Sequence, residues 1–481
     1  MGTAYYDFRR VWYGSTPSEM KHIAIERIRD ALVGTDFENK VWLVGGLTRD
    51  AFLGLPGSDD IDLVTTENAM SMAHLLYERG ISTIFPQEYA RFKTAVIRVE
   101  DALVECITAR SENYREKSRK PDVFAATLDE DALRRDFTVN SIYQNLFTNE
   151  IFDPFDGRAD ISSRILRSTR LDPAEMFRED PLRMLRCVRF RWKLGLTPAE
   201  GLYESVREVA PYLEHISAER IQEELSKMLV LDHAADCVRD LVSLGLTAVF
   251  ASEIDQMVGV DHGPHVPIEV FEHTMLTLQA IQTPNLTLKL AALLHDIGKP
   301  TTRTVTESGR VRFPLHQKVG AEMSRVILRR LRYGEDRIAD VCTLVREHMR
   351  VMPSEELSDA GVRRLIRDLG PLLDPLFDLV EADRKGHPWA SYSDCRIVQA
   401  RAHAMLNVTP AESLTSPLTG EAIMEHLKIG PGKIVGLAKH VLCEEVIEGR
   451  MMPGDQEAAL RFITQWWSTQ TPSENSPQPE A

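Results

Sequence analysis

The sequence lacks the features that would announce a membrane protein, a disulfide scaffold or a basic nucleic-acid glove. No apolar run approaches the roughly 18 residues that a bilayer-spanning helix needs. The first fifteen residues, MGTAYYDFRRVWYGS, hold no long apolar segment after their charges, so no signal peptide is read there. Tyr6 stands where a myristoylation motif requires Ser or Thr. A cytoplasmic location is therefore expected. The six cysteines (Cys106, Cys187, Cys237, Cys342, Cys395, Cys443) are scattered, with no CxxC pair. That argues against a disulfide framework or thiolate zinc site, and for reduced, mostly buried thiols. An excess of positive charge is also missing: 57 Lys and Arg face 72 Asp and Glu, a net charge of −15. Taken as a sum, this disfavours a nucleic-acid partner. No internal repeat is present.

What is there changes that picture. With 43% hydrophobic and 27% charged residues over 481 positions, the chain can bury cores in two to four domains. Its basic residues are concentrated rather than absent. Arg164, Arg167, Arg170, Arg178, Arg183, Arg186, Arg189, Arg191 and Lys193 lie in one stretch, opposed there only by Asp172, Glu175, Glu179 and Asp180. A local phosphate-binding surface is compatible with a negative total.

From about residue 40 to 110 short apolar runs alternate with helical stretches. Val41–Val44, Ile61–Val64, Thr94–Val99 and Ala102–Thr108 read as strands, with a helix start at Arg49–Leu53. After about residue 165, period-3.6 patterns dominate to about 470. Ser468–Ala481 is polar and proline-rich and reads as a disordered tail. The expected class is α+β: an α/β head followed by a long helical body.

Asp60-Ile-Asp62 opens a strand, so both carboxylates share one face while Ile61 and Leu63 face a core. Carboxylates this close repel unless a cation lies between them. Mg²⁺ takes a few carboxylate oxygens together with substrate phosphates. Glu105, on a nearby strand, is a third candidate. Alone, a DxD is more often a surface turn. Gly45-Gly46, about 14 residues upstream at a helix start, adds backbone N–H groups that can approach a phosphate.

Val44-Gly-Gly-Leu-Thr-Arg-Asp50 followed by Asp60-Ile-Asp62 resembles the signature of the tRNA nucleotidyltransferase and bacterial poly(A) polymerase family. Arg134-Arg-Asp-Phe-Thr-Val-Asn-Ser141, Asp153-Pro-Phe-Asp-Gly-Arg-Ala-Asp160, Glu179-Asp-Pro-Leu-Arg183 and Glu219-Arg-Ile-Gln-Glu-Glu-Leu225 resemble its later motifs, in order. The family has Val where Thr48 stands and Ala where Ser141 stands; neither carries chemistry. The resemblance implies a polymerase-β-like nucleotidyltransferase head at 25–165. A helical neck at 166–250 would choose the nucleotide and bind RNA. Catalysis and Mg²⁺ would fall to Asp60, Asp62 and Glu105. Nucleotide binding would fall to Gly45, Gly46, Arg49, Asp50, Arg134, Arg135, Asp136 and Asn140, with Glu179, Asp180, Arg183, Arg186 and Arg189. Spacing alone puts Asp180 and Arg183 on one helical face. The resemblance makes them the pair that accepts CTP and ATP and rejects UTP and GTP. Arg186 and Arg189 continue that stripe toward the triphosphate, against the plainer reading of a solvated basic face.

Ser111–Thr127, charged and poor in apolar residues, reads as a mobile loop. In the family such a loop accompanies addition of the terminal A.

A second constellation follows. His295-Asp296 ends an apolar helix-like run, and His273, His316, His348 and Asp383 occupy similar positions. Imidazoles with carboxylates suit a divalent metal. The series resembles the HD phosphohydrolase superfamily, implying an HD domain at 255–390 that holds a transition metal or Mg²⁺. It would act as a phosphatase or phosphodiesterase, or serve only as a metal-bound scaffold. A helical tail at 391–467 would complete the chain, and its Gly-Pro turns place Lys433 as a possible phosphate contact.

The expected activity is template-independent addition of CCA to tRNA from CTP and ATP. The alternatives are a poly(A) polymerase, a CC-only or A-only enzyme, or an RNA-binding HD phosphohydrolase with an inactive head. No oligomeric state follows from these motifs.

Overall fold

The computed structural model describes residues 16–56, 60–113, 122–263, 268–351, 357–386 and 393–470. The chain divides into two units, Met1–Phe250 and Ala251–Ala481.

The first unit begins with α1 (Thr16–Leu32), β1 (Val41–Val44), α2 (Gly46–Leu53), β2 (Ile61–Thr65) and α3 (Ala69–Glu78). Next come β3 (Gln87–Tyr89), β4 (Thr94–Val99), β5 (Ala102–Thr108), β6 (Arg110–Asn113) and β7 (Asp122–Ala125). After these follow α4 (Leu128–Leu133), β8 (Tyr143–Asn145), β9 (Ile151–Phe152) and α5 (Gly157–Ser163). One sheet runs β3-β4-β5-β2-β1-β8-β9. Only β2 and β5 pair in parallel; the other neighbours are antiparallel.

Period-two alternation orients β2. Ile61 and Leu63 are fully buried in one core with Ala24, Ile28 and Leu32 of α1 and Met72 and Leu76 of α3. Each large side chain buried there contributes about 1.5–3 kcal/mol. That burial fixes the register and turns Asp62 to the opposite face.

Five helices follow: α6 (Pro173–Glu179), α7 (Leu182–Leu194), α8 (Leu202–Val209), α9 (Ala218–Leu229) and α10 (Ala234–Ser243). The Asp172 carboxylate accepts from Ala174 N at 2.9 Å and Pro173 fills the first turn, which sets the start of α6.

In the second unit, helices Val270–Ala280, Leu286–Leu294, His316–Arg330, Glu335–Glu347 and Leu373–Lys385 pack on one another. Asn285 caps the second of them through Leu288 N. Among the described residues, no helix is long and apolar enough to cross a membrane. All six cysteines are free, five buried and Cys443 half-buried.

The α+β expectation holds, with local corrections. The helix read from Arg49 begins at Gly46. Ser111–Thr127 is not loop throughout: β6 and β7 pair as a hairpin from Arg110↔Ala125 to Asn113↔Asp122. Thr127 and Glu130 form a capping box on α4. Residues 114–121, the middle of that expected loop, lie outside the described residues. Ser468, read as the start of a disordered tail, belongs to helix Gln456–Gln470; residues 471–481 lie outside the description. Thr419 caps helix Gly420–Leu427, Gly432 of the Gly-Pro turn caps Lys433–Ile447, and a third helix follows them.

Candidate active site

The site starts at the turn between β1 and α2. Gly45 has φ 77° and ψ −131°, a backbone that L side chains rarely adopt. A Cβ there would sit 2.9 Å from Asp62 Oδ2. Val44 pairs with Asp62 across the sheet, and Asp62 with Glu105. The bare glycine thus lets the start of α2 lie against the carboxylate group. Burial pushes the Asp62 carboxyl up to about 6, with Glu105 and Asp60 adding repulsion and Arg135 opposing it. A divalent cation relieves such crowding better than a proton does, so this donor set fits one.

Facing the carboxylates is a cleft of about 480 Å³. Its lining includes Gly45, Gly46, Arg49, Asp60 and Asp62 from the first motif and Arg134, Arg135, Asp136 and Asn140 from the second. Asp180, Arg183, Arg186 and Arg189 come from the neck helices. Every arginine is braced. Arg49 pairs with Asp50 at 2.6 Å and donates to Asn140 Oδ1 at 2.7 Å. Asp136 accepts from Asn140 at 2.9 Å and pairs with Arg186 at 2.6 Å. Burial alone would raise the Asp136 pKa; the Arg186 guanidinium and the Asn140 amide hold it at about 2. Arg189 is tied to Glu224 of α9 at 2.6 Å. Arg186 and Arg189, expected to hold the triphosphate, both line the cleft, and each is also in an ion pair at its wall.

Asp131 was not singled out in the sequence, although it organises two of the cleft arginines. Fully buried, it accepts from Arg134 at 2.7 Å, from Arg135 at 3.2 Å and from the Tyr143 hydroxyl at 2.7 Å. Burial raises its pKa and the two guanidiniums outweigh that, leaving it at about 2. Its spacing of three and four residues before the Arg-Arg pair was the available signal.

The residues expected to select the nucleotide differ from the expected geometry. Asp180 does not share a helix with Arg183. It is extended (φ −138°, ψ 97°) between α6 and α7. Pro181 lacks an N–H and disfavours helical backbone at the residue before it, which breaks the helix there. The two side chains still line the same cleft. Arg183 is fixed by the carbonyls of Met176 and Arg134, at 3.2 and 2.5 Å, and by Glu179 at 3.2 Å. Glu179 itself pairs with Arg170 at 2.8 Å. Asp180 pairs with Arg220 of α9 at 2.9 Å. Glu179, Asp50 and Glu105 are not among the lining residues; Asp50 and Glu179 support those that are. Arg110, Leu182, Phe190, Lys193 and Arg220 also line the cleft and were not expected there. Arg220 sits inside the Glu219–Leu225 motif, which could have pointed to it.

The second unit brings its own six residues together. His273, His295 and Asp296 form one potential ligand group, and Asp296, His316 and His348 another, each with ligand atoms within 4.8 Å of one another. Asp383 Oδ1 lies 2.8 Å from His273 Nε2. The Nδ1 atoms of His295, His316 and His348 each meet a carbonyl three residues earlier, at 2.8, 2.9 and 2.7 Å. Those bonds assign the protons to Nδ1 and turn the Nε2 lone pairs inward. The His273–His295 and His316–His348 Nε2 pairs are each 3.4 Å apart. Facing lone pairs at that distance suit a shared cation, and the shared Asp296 suits two. Burial lowers the His295 pKa, while Asp296 and Asp383 more than offset it, raising it to about 10. A divalent ion would replace that proton. Lys299, 2.6 Å from Asp296 and 2.9 Å from His262, joins this group without having been expected.

Comparison with known proteins finds three domain matches along the chain. Residues 41–167 match the Poly A polymerase head domain, 195–257 the probable RNA- and SrmB-binding site of polymerase A, and 267–385 the HD domain. The chain is 32% identical over 360 residues to the A-adding tRNA nucleotidyltransferase of Deinococcus radiodurans, covering 72% of this chain and 80% of that protein. It is 33% identical over 350 residues to the CC-adding tRNA nucleotidyltransferase of Thermus thermophilus, covering 70% and 77%. It is 30% identical over 408 residues to the multifunctional CCA protein of Xanthomonas campestris pv. campestris, covering 80% and 96%. The fold is shared with the Bacillus stearothermophilus CCA-adding enzyme crystallised with CTP: TM-score 0.68 and 22% identity over 95% of this chain and 99% of that one. The chain belongs to the CCA tRNA nucleotidyltransferase and poly(A) polymerase family, and carries an HD domain.

Proposed function

We propose that this chain completes tRNA 3′ ends, adding C, C and A from CTP and ATP without a template. The observation that carries this is one cleft holding the carboxylates, a wall of braced arginines and the Asp180–Arg183 pair. In each cycle the RNA 3′-terminal oxygen bonds to the α-phosphorus of the nucleotide, the bond to the β-phosphate oxygen breaks, and pyrophosphate leaves. Mg²⁺, held by Asp60 and Asp62 with Glu105 beside them, would ease loss of the hydroxyl proton and neutralise the departing pyrophosphate. Arg49, Arg135 and Arg186 orient the triphosphate, and the N–H groups at Gly45 and Gly46 approach it. Asp180 and Arg183 offer an acceptor and a donor fork to the base edge. Such pairs discriminate by about 1–3 kcal/mol each, and both are locked before the base arrives.

The division read from the sequence serves this function: head 25–165, neck 166–250, HD domain 255–390 and tail 391–467. The enzyme works in the cytoplasm. The test uses tRNAs ending one, two or three nucleotides short of CCA, each given CTP or ATP alone. CTP extends the first C and the second C, and ATP extends only the –CC end. Failure to incorporate CTP would overturn CCA addition: ATP runs on any RNA would indicate a poly(A) polymerase, and ATP use at –CC alone an A-adding enzyme. CTP use without ATP use would indicate a CC-adding enzyme.

The inward-facing imidazoles favour a second reading for the HD unit, hydrolysis of phosphate esters at RNA ends with a bound transition metal or Mg²⁺. Purified protein should carry metal in the HD unit and release phosphate from 3′-phosphorylated or 2′,3′-cyclic RNA ends. Metal without hydrolysis would leave a scaffold role.

A further inference from the structure

The cleft accounts for the nucleotide, but the RNA hydroxyl must also reach Asp60 and Asp62. Strand register marks an open route to that point. Side chains paired across a sheet share a face. Asp62 is opposite Glu105, Glu105 opposite Val96, and Val96 opposite Gln87. Two residues along, Val64, Ile107, Thr94 and Tyr89 are aligned in the same way. Tyr89, on the edge strand β3, therefore stands on the face that carries Asp62, three strand spacings or roughly 14 Å across the sheet.

The first of these rows is open to solvent, while Val64, Ile107 and Thr94 of the second are buried. Glu105 and Gln87 are exposed and Val96 is half-buried. Tyr89 is 44% exposed, and Phe92, in the turn after β3, is 42% exposed. The turn continues through Arg91 to Lys93, which adopts φ 52° and ψ 41°, a left-handed backbone uncommon for a long side chain. Arg110 joins the turn to the cleft. It lines the cleft, donates to the Phe92 carbonyl and, at 3.1 Å, to Thr94 Oγ1, and places its guanidinium 5.9 Å from the Phe92 ring. Arg91 lies 6.0 Å from the same ring.

Exposed aromatics interleaved with cations form the surface that single-stranded nucleic acid uses, because every base has a stacking face and every phosphate a charge. We propose that Tyr89 and Phe92, flanked by Arg91 and Lys93, form a stacking platform for the unpaired bases at the 3′ end of the RNA acceptor. This inference rests on the nucleotidyltransferase reading above.

The test compares the wild-type chain with a Tyr89→Ala/Phe92→Ala double variant on tRNA lacking its terminal A, with ATP. Both side chains are partly exposed, and an unchanged thermal midpoint checks the fold. KM for tRNA should rise about tenfold or more, the loss of one to two stacked bases. KM for ATP should stay within about twofold, since Asp180 and Arg183 are untouched. The aromatic-conserving variants Tyr89→Phe and Phe92→Tyr should keep the wild-type KM for tRNA. An unchanged tRNA KM in the double variant would overturn the platform, as would a rise in the ATP KM alone or equal losses in the aromatic-conserving pair. A fluorescent base analogue at the tRNA 3′ end should be quenched on binding to wild type and not to the double variant. That readout needs no turnover, so the platform can be judged even if the wild type adds no nucleotide. In that case the proposed activity would fall on its own.

Discussion

Asp131 shows how one buried carboxylate can govern several residues that line the cleft. It holds Arg134 and Arg135, and the Arg134 carbonyl in turn holds Arg183. Replacing it by Asn keeps the shape but removes the charge that orients both guanidiniums. KM for CTP and ATP should rise roughly tenfold, consistent with weakened charge-assisted bonds at the cleft wall. The pH dependence has a definite sign. Asp131 and Asp136 both titrate near 2 in the folded chain, below the unfolded value of about 3.9. Their contribution is therefore complete above about pH 4 and is lost as pH falls through about 2. Urea midpoints measured from pH 6 downward should drop less steeply for Asp131→Asn than for wild type over that window. Equal slopes would mean that the paired carboxylate does not stabilise the fold.

At the scale of elements, the junctions matter more than the elements they join. The turn from β1 into α2 needs a residue with positive φ and no Cβ, because Asp62 Oδ2 occupies the space. Gly45→Ala should cost about 1–2 kcal/mol in stability. It should cost activity more, at least ~10-fold in kcat, by displacing a carboxylate that must be held within a fraction of an ångström. Steady-state kinetics beside a melting curve would check this, and a variant with wild-type kcat would show that the close approach is dispensable. The break at Pro181 is a second such junction. Spacing made Asp180 and Arg183 neighbours on one helix. The chain instead bends there, and α9 supplies Arg220 to the bent residue.

For the whole molecule, two chemical centres lie in separate units of the chain. Asp60→Ala with Asp62→Ala should lower nucleotide addition by about three orders of magnitude or more, since it removes the residues proposed to hold the charge-neutralising ion. Metal retained by the HD unit should be unaffected. His295→Ala with Asp296→Ala should do the reverse, abolishing metal retention by the HD unit and any phosphatase activity while sparing CCA addition. Elemental analysis and primer extension on both double variants would read this. Loss of nucleotide addition in a folded His295→Ala/Asp296→Ala protein would show that the centres are coupled.

Local order along the chain was enough to determine the α+β class, the four main strands of the head and the series of motifs. Strand alternation and the contiguous Gly-Gly, Asp-x-Asp and Arg-Arg-Asp groups are properties of near neighbours. The six histidines and aspartates of the second unit were read as lying at or near the ends of apolar helix-like segments, and the structure brings them together. Other features arise only when distant segments meet. Asp131 looked like one acid among several in α4 until burial made it the anchor of two arginines and a tyrosine. Arg186 and Arg189 were legible as a basic stripe, but their ion pairs with Asp136 and Glu224, 50 and 35 residues away, arise only from packing. Arg110 reached the cleft by tertiary placement, and Arg220, although inside a recognised motif, found its partner Asp180 only there. Sequence periodicity specifies which face of an element is apolar; which charges then face one another depends on packing, and packing decided the cleft.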